Sequence, residues 1–536
     1  MDSEQLGTDP QLAAAAATVV PAKGSLKKQV AKNTLSAWGY KIIKAGLTFF
    51  INPLLILEFG REGYGLIILF TTLISFADLA DFGVRPSLGR FVSEARAKSD
   101  TKAFNSYINS ALLVYGGLWV VLSGLLLLGS GWFVRQFATE VQLQTEAALL
   151  FRYYGVFTLF IAFFRPVFSA IISGFGRFDV RNGIETVYTL LSGVGVLVVL
   201  YLFDLGLAGW VGINMVALML NAAMLYRSAK KLAPYMAFGR EYVSKAALKD
   251  LYGLGGLVFL SQWARRIKYD ADPFIITRFM GPGAISTYKP GNSLMTNIKP
   301  LLDSFAGQLY PTTTDMHTRG DMSNLRKLFF TSSRYTIMLS IPMLVLFLAF
   351  GLDVMRIWMG GVLLPAEVRT AGFVLMGWAV IEFASSLEGA ATPILFGMKK
   401  VRLLTFSYLV VAGLGLLTSI ILIKTTSLGV LALLIGPAVL EFIIRPWYLW
   451  YAGRNVGAGF LEIVKEIYLP AGLLTLLAGG LAVVVRWAVV PSDLFLLLID
   501  FALVGLGYLA LAYAIGLRQP ERAFIKDFVA KKLRQK

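Results

Sequence analysis

The sequence predicts an all-α polytopic membrane protein of about fourteen transmembrane helices, built as two parallel six-helix repeats with two further helices after them. Three observations predict it. The mean hydropathy is +0.68, with 57% hydrophobic and only 15% charged residues, far from the composition of a soluble globular domain. Long apolar stretches, each sufficient to cross about 30 Å of hydrocarbon, alternate with short polar turns along nearly the whole chain. Sliding the sequence by 221 positions superimposes residues at corresponding span boundaries.

Residues 1–31 are polar, then alanine-rich, and lack the basic start, apolar core and cleavage site of a signal peptide, so they read as a disordered cytoplasmic tail. The first span runs from about Asn33 to Leu57 and the second from about Tyr64 to Arg90, joined by the turn Glu58 to Gly63. Further spans begin near Phe104, Ala147, Ile184, Ala208, Leu251, Ala284, Phe329, Arg369, Leu403, Leu428, Ile467 and Leu494. The domain plan is a lobe over 32–228, a cytoplasmic linker over 229–250, a second lobe over 251–452, two helices within 453–517 and a basic cytoplasmic tail over 518–536.

Lys and Arg concentrate in alternate connections: Lys23 to Lys28, Arg96 to Lys102, Arg177 and Arg181, Arg227 to Lys249, Arg319 to Lys327, Lys399 to Arg402, Arg454 and Lys465, and the end after Arg518. The positive-inside rule makes that side cytoplasmic and places both termini there, in accord with an even number of spans. The surplus of charge, +18 overall, is loop charge plus a basic interior; no soluble basic module with interleaved aromatics suggests nucleic acid.

At the offset of 221, Gly60 falls on Gly281, Asp100 on Asp321, Arg135 on Arg356, Glu146 on Glu367, and Phe175-Gly176 on Phe396-Gly397. The shift covers six spans, an even number, so the halves share one orientation. Lys44 falls on Arg265, a cation at equivalent depth on the first helix of each half. Basic first helices in two facing bundles imply a central cationic cavity.

The stretch Leu251 to Met280 is the most informative. Read as one spanning helix, it carries Arg265, Arg266, Lys268, Asp270 and Asp272 in its middle. A charge facing lipid costs between about 3 and well over 10 kcal/mol, so these side chains must look into a bundle or a wet cavity. Arg265, Lys268 and Asp272, spaced i, i+3, i+7, share one face.

Several chemistries are excluded. The chain has no cysteine, hence no disulfide, thiol nucleophile or Cys-based metal site, and its single histidine, His317, lies in a polar loop. No Walker A, Rossmann glycine pattern or HExxH occurs. No catalytic residues, metal ligands or cofactor are expected, and the chain carries no recognisable ATPase or hydrolase machinery, so it does not read as an enzyme. No connection is long enough to form an extramembrane catalytic domain.

Leu79-Ala80-Asp81-Phe82-Gly83-Val84, Arg90-Phe91-Val92-Ser93-Glu94-Ala95 and Ser173-Gly174-Phe175-Gly176-Arg177-Phe178-Asp179, followed by Asp272-Pro273-Phe274-Ile275-Ile276, Leu309-Tyr310-Pro311 and Arg356-Ile357-Trp358-Met359-Gly360, carry a family resemblance. From about Lys27 to the end of the fourteenth span the chain resembles the polysaccharide-transport branch of the multidrug/oligosaccharidyl-lipid/polysaccharide superfamily, the bacterial O-antigen and exopolysaccharide lipid flippases. The resemblance implies a two-lobed, alternating-access transporter in the bacterial inner membrane. Its implied cargo is an undecaprenyl-pyrophosphate-linked oligosaccharide, and its implied associates are membrane lipids, a polysaccharide polymerase and other assembly proteins.

For such a cargo the candidate cavity cations are Lys41, Lys44, Arg152, Arg165, Arg265, Arg266, Lys268, Lys289 and Lys299, since guanidinium groups bind phosphate oxygens in pairs. Trp263, Tyr269, Tyr288 and Tyr310 could stack on sugars, although most of them read better as ordinary membrane-interface aromatics. The acidic candidates for coupling to H+ or Na+ are Asp78, Asp81, Asp270, Asp272, Asp303, Glu382 and Glu388. Asp81 with Arg85, and Glu441 with Arg445, read better as i, i+4 neutralised pairs; Glu382, with no cation nearby on its own helix, is the stronger coupling candidate. The alternative function is a cation-coupled small-molecule antiporter of the same superfamily, which a basic cavity disfavours.

Overall fold

Short turns join long helices. The computed structural model describes residues 23–137, 144, 147–148, 150–203, 205–253, 256–307, 309–398, 400, 402–519 and 521–523, and among the described residues there is no strand. Eleven helical stretches within them are long and apolar enough to cross a membrane. The chain is an all-α, multi-pass membrane protein.

Packing divides it into two units, Met1–Ser286 and Thr287–Lys536. In the first, α1 (Lys23–Ala77) is one helical run broken at Gly60, whose φ of 65° and ψ of 179° are open to glycine. It begins within 1–31, the stretch expected to be disordered, because its first turns have partners. Gln29 and Lys32 reach the Asp179 carboxylate at 3.0 and 2.8 Å, and Asn33 bridges the Asp179 N–H (2.9 Å) and the Gly176 carbonyl (3.1 Å). Arg177 adds a bond to the same carboxylate at 3.0 Å. The Gly176-Arg177-Phe178-Asp179 stretch is therefore a clasp for the start of α1.

After a 3-10 turn over Asp78–Asp81 come α2 (Val84–Ala97), α3 (Thr101–Phe137), α4 (Gly155–Gly174), α5 (Phe178–Phe203) and α6 (Gly206–Leu232). Their core is continuous: Val84, Leu88 and Val92 of α2 are fully buried with Ile108 and Tyr115 of α3, Phe163 and Ile171 of α4 and Leu225 of α6. α2 and α4 approach so closely that a Cβ on Gly174 would stand 2.8 Å from Val92 Cγ1.

The single helix expected from Leu251 to Met280 is interrupted at Ala271. α7 (Lys245–Gly253) is a short charged helix packed on α3, where the Tyr107 hydroxyl donates to Asp250 at 3.0 Å. α8 (Gly256–Asp270) and α9 (Asp272–Met280) are separated at Ala271. Pro273 explains that break, since it has no N–H to continue the ladder and disfavours helical geometry in the residue before it. With α10 (Ile285–Gly307), α8 and α9 occupy the places of the expected seventh and eighth spans, yet none is among the eleven apolar stretches. α8 and α9, at 15 and 9 residues, are too short to cross alone, and α10 carries Lys289, Lys299 and Asp303 among many other polar residues.

The second unit centres on α12 (Met322–Met359), entered through α11 (Leu309–Thr318). Against it pack α13 (Pro365–Ser386), α17 (Leu469–Ala488) and α18 (Leu494–Leu511), while α14 (Ala391–Gly397), α15 (Arg402–Thr425) and α16 (Ala432–Asn455) complete the unit. Phe329, Ile337, Ile341 and Phe350 of α12 are fully buried alongside Val374, Leu375 and Ile381 of α13.

Backbone features recur 221 positions apart. Gly60 and Gly281 have φ of 65° and 84°, and Ser99 and Gly320 have φ of 55° and 71°. Asp100 accepts the Ala103 N–H (2.8 Å) at the start of α3, and Asp321 accepts the Asn324 N–H (3.2 Å) at the start of α12. The Asn324 side-chain amide, together with that N–H, holds the Asp321 carboxyl below its ordinary value.

Candidate functional site

A cavity of about 310 Å³ opens in the first unit between the turn after α1 and one face of α8, lined by Leu79, Asp81, Gly83, Arg85, Phe259, Gln262 and Arg266. Asp81 builds the turn. Its carboxylate accepts the backbone N–H groups of Gly83 (2.9 Å) and Arg85 (3.3 Å) and the Tyr115 hydroxyl (3.4 Å), with Arg85 Nε 3.8 Å away. That grip turns the chain through two successive left-handed residues, Phe82 at φ 48° and Gly83 at φ 87°. A bulky residue rarely accepts a positive φ, and strain of this kind gathers at ligand sites. Here it presents the half-exposed Phe82 ring, 4.9 Å between centroids from Phe259.

Phe259, Gln262 and Arg266 are spaced i, i+3, i+7 and so line the cavity from one face of α8. Arg266 donates one bond to Asp270 at 2.8 Å, leaving most of the five donors of its guanidinium for another acceptor. Aromatic rings continue from Phe259 to Trp263 (6.0 Å), Phe76 (6.5 Å) and Phe274 (5.6 Å). Guanidinium, amide and aromatic faces in one recess can hold a phosphate with sugars attached.

The other expected site residues are dispersed. Arg265 is exposed, Lys268 is buried beside the Tyr269 ring (4.5 Å), and Asp272 is half-buried in the first turn of α9. The break at Ala271 interrupts the helical face on which those three were expected. Lys41 is half-buried and Lys44 exposed on α1, and neither lines the cavity. Arg152 bonds Ser130 at 2.9 Å, and Arg165 lies 3.3 Å from Asn221 Oδ1 and 3.8 Å from Glu185. In the second unit Lys289 donates to Asn292 at 3.2 Å. Tyr288, fully buried and accepting the Trp378 indole N–H at 2.9 Å, is a core residue rather than a sugar platform. The side chains of Asp78 and Asp303 lie outside the described residues.

Two buried ion-pair sites correct the reading of the glutamates. Glu382 is not alone: Lys299 Nζ, from α10, sits 2.8 Å from its Oε2, so one proposed cavity cation and the leading coupling carboxylate neutralise each other. Glu388 joins Glu441 around a single guanidinium. Arg445, 1% exposed, donates from NH1 to Glu388 at 2.7 Å and from Nε and NH2 to Glu441, which is fully buried. The Tyr408 ring covers the guanidinium at 4.7 Å. Glu382→Gln is therefore expected to lower stability through loss of the Lys299 pair. Melting temperature in detergent checks it, and an unchanged value with altered ion dependence of transport would return Glu382 to the coupling role.

The sequence reasoning missed Phe82, Arg85, Phe259 and Gln262 as lining residues. The signal for the α8 set was the same i, i+3, i+7 spacing, applied to the adjacent face.

A family model described as "Polysaccharide biosynthesis protein" matches residues 30–317. A Salmonella typhi protein proposed to be an O-antigen transporter is 30% identical over 130 residues, 23% of this chain and 30% of that protein. One of the same description from Salmonella typhimurium is 39% identical over 77 residues, 14% of this chain and 17% of the relative. The aligned part thus spans less than a third of either relative. Among solved structures, the lipid II flippase MurJ in an inward closed conformation has a TM-score of 0.68 at 14% identity, covering 93% of this chain and 99% of MurJ. An inward-facing multidrug resistance MATE family transporter of the MOP superfamily has a TM-score of 0.64 at 14% identity, covering 78% and 98%. At that identity these two show the fold, which is MATE- and MurJ-like. With the family match extending over more than half of its residues, this chain belongs to the polysaccharide biosynthesis protein family.

Proposed function

We propose that this protein flips an undecaprenyl-pyrophosphate-linked oligosaccharide from the cytoplasmic to the periplasmic leaflet of the bacterial inner membrane by alternating access. The observation that carries this reading is the cavity at Asp81–Arg85: Arg85 and Arg266 supply guanidinium groups, Gln262 an amide, and Phe82 and Phe259 ring faces. A small cationic drug would gain nothing from two arginines, whereas a pyrophosphate linked to sugars uses every one of these groups. Reconstituted vesicles loaded with a fluorescent lipid-linked oligosaccharide should show protein-dependent movement between leaflets. Movement of a cationic dye instead, with the glycolipid immobile, would replace this reading with the antiporter.

The proposal includes fourteen spans, two parallel halves, H+ or Na+ coupling, a polysaccharide polymerase as an associate, and cytoplasmic termini. The backbone correspondences at Gly60 and Gly281 and at Ser99 and Gly320 support the repeat. Orientation rests on the Lys and Arg asymmetry and is open to cysteine labelling in a chain with no native cysteine. Exposed Ser323 and Ser427 suit the purpose; Ser130, buried and bonded to Arg152, does not. Ser323→Cys should be shielded from an impermeant thiol reagent in intact cells while Ser427→Cys reacts, and the reverse pattern would invert the topology.

A further inference from the structure

We propose that Asp500, in the last of the described long helices, is a proton-binding site whose occupancy governs how α17 and α18 dock on α12. The proposal is independent of what the protein transports. Asp500 is the only charged residue within α18, it is fully buried, and neither of its carboxylate oxygens has a hydrogen-bond partner among the described residues. The adjacent Phe501 meets the rings of Phe347 (6.2 Å) and Phe350 (5.9 Å) of α12, which holds this part of α18 against α12.

Among the described residues, Asp353 of α12 pairs with Arg356 of the same helix and with Arg486 of α17. The segment 512–516 that follows α18 has no charged residue. Asp493, at the start of α18, is engaged in capping, accepting the Leu496 N–H at 3.0 Å. Asp353 lies close enough for its charge to act on Asp500. Both arginines are committed to Asp353: Arg356 NH2 stands 3.1 Å from its Oδ1 and Arg486 NH2 3.0 Å from its Oδ2. Arg356 also donates to the Pro491 carbonyl.

An ionised Asp500 would thus be a buried anion with an anion as neighbour and neither cation on it. Burying a charge without a partner is far more costly than burying a neutral acid, so the arrangement fits Asp500 carrying a proton. The cation able to change sides is Arg486, whose side chain is 40% exposed. When Asp500 gives up its proton, Arg486 moves from Asp353 to Asp500, leaving Arg356 to hold Asp353. Charge stays balanced, and the contact between α12, α17 and α18 is rearranged.

The test is infrared spectroscopy of the full chain in lipid nanodiscs at neutral pH. The wild-type spectrum minus that of Asp500→Asn should contain the carbonyl stretch of a protonated carboxylic acid, displaced in heavy water, and Asp500→Glu should retain it. Asp500→Asn, which mimics the neutral acid, should melt at the wild-type temperature. Asp353→Asn removes the neighbouring anion and releases Arg486, so the band should vanish although Asp500 is still present. A difference spectrum with only a carboxylate signal overturns the proposal, as does a large loss of stability in Asp500→Asn. Persistence of the acid band in Asp353→Asn overturns the exchange of Arg486.

Discussion

Replacing Arg445 with alanine is expected to destabilise the second unit severely, by about 3–5 kcal/mol, the usual cost of removing one partner from a buried ion pair. The reason lies in its stoichiometry: one guanidinium serves two carboxylates, Glu388 and Glu441, so its loss takes the cation from two anions rather than one. Glu388 also accepts the Thr392 hydroxyl (2.8 Å), and the Tyr408 ring covers the guanidinium face. Melting temperature in detergent and the amount of protein in the membrane should both fall. Arg445→Met combined with Glu388→Gln and Glu441→Gln should recover much of the loss, because buried ionic groups replaced together by neutral ones are often tolerated. A melting temperature unchanged in Arg445→Ala would mean that the site is hydrated and that the glutamates are available for coupling.

Much of the architecture was legible because bilayer length, turn chemistry and capping are local. Gly60 marks its break in the sequence, and Asp100 and Asp321 announce the starts of α3 and α12 as ordinary caps. The break at Ala271 was also legible in principle, since Pro273 stands two residues on, but the length expected of a spanning segment outweighed it.

Partnerships between helices were not legible. Spacing rules see only a residue's own helix, so Glu382 looked unaccompanied although Lys299 pairs with it across 83 positions. The same blindness joined Glu441 to Arg445, four residues away, and left out Glu388, 57 positions from that arginine. Two of the stretches that carry the family resemblance prove to hold backbone in place. Asp81 grips a left-handed turn through backbone N–H groups and Asp179 clasps the start of α1 through the Gln29 amide and the Lys32 ammonium, roles that could not be told from coupling sites by residue type.

Replacing Arg266 with alanine is expected to reduce glycolipid flipping by roughly 10- to 100-fold, the scale of a lost charge-assisted hydrogen bond of about 1.5–3 kcal/mol. Arg266→Lys should restore only part, because an ammonium brings charge without the planar fork that matches phosphate oxygens. Stability should change little: the partner Asp270 has 28% of its side chain exposed, so water can take over when the guanidinium is gone. The neighbouring Arg265 is the control. It is exposed and lies off the face formed by Phe259, Gln262 and Arg266, so Arg265→Ala should flip at the wild-type rate. Initial rates with a fluorescent lipid-linked oligosaccharide, measured at equal protein content beside the melting temperature, separate the cases. A normal rate in Arg266→Ala would remove the cavity from the cargo path. An equal loss in both variants would mean that the net charge of α8, rather than the geometry of one guanidinium, attracts the anion.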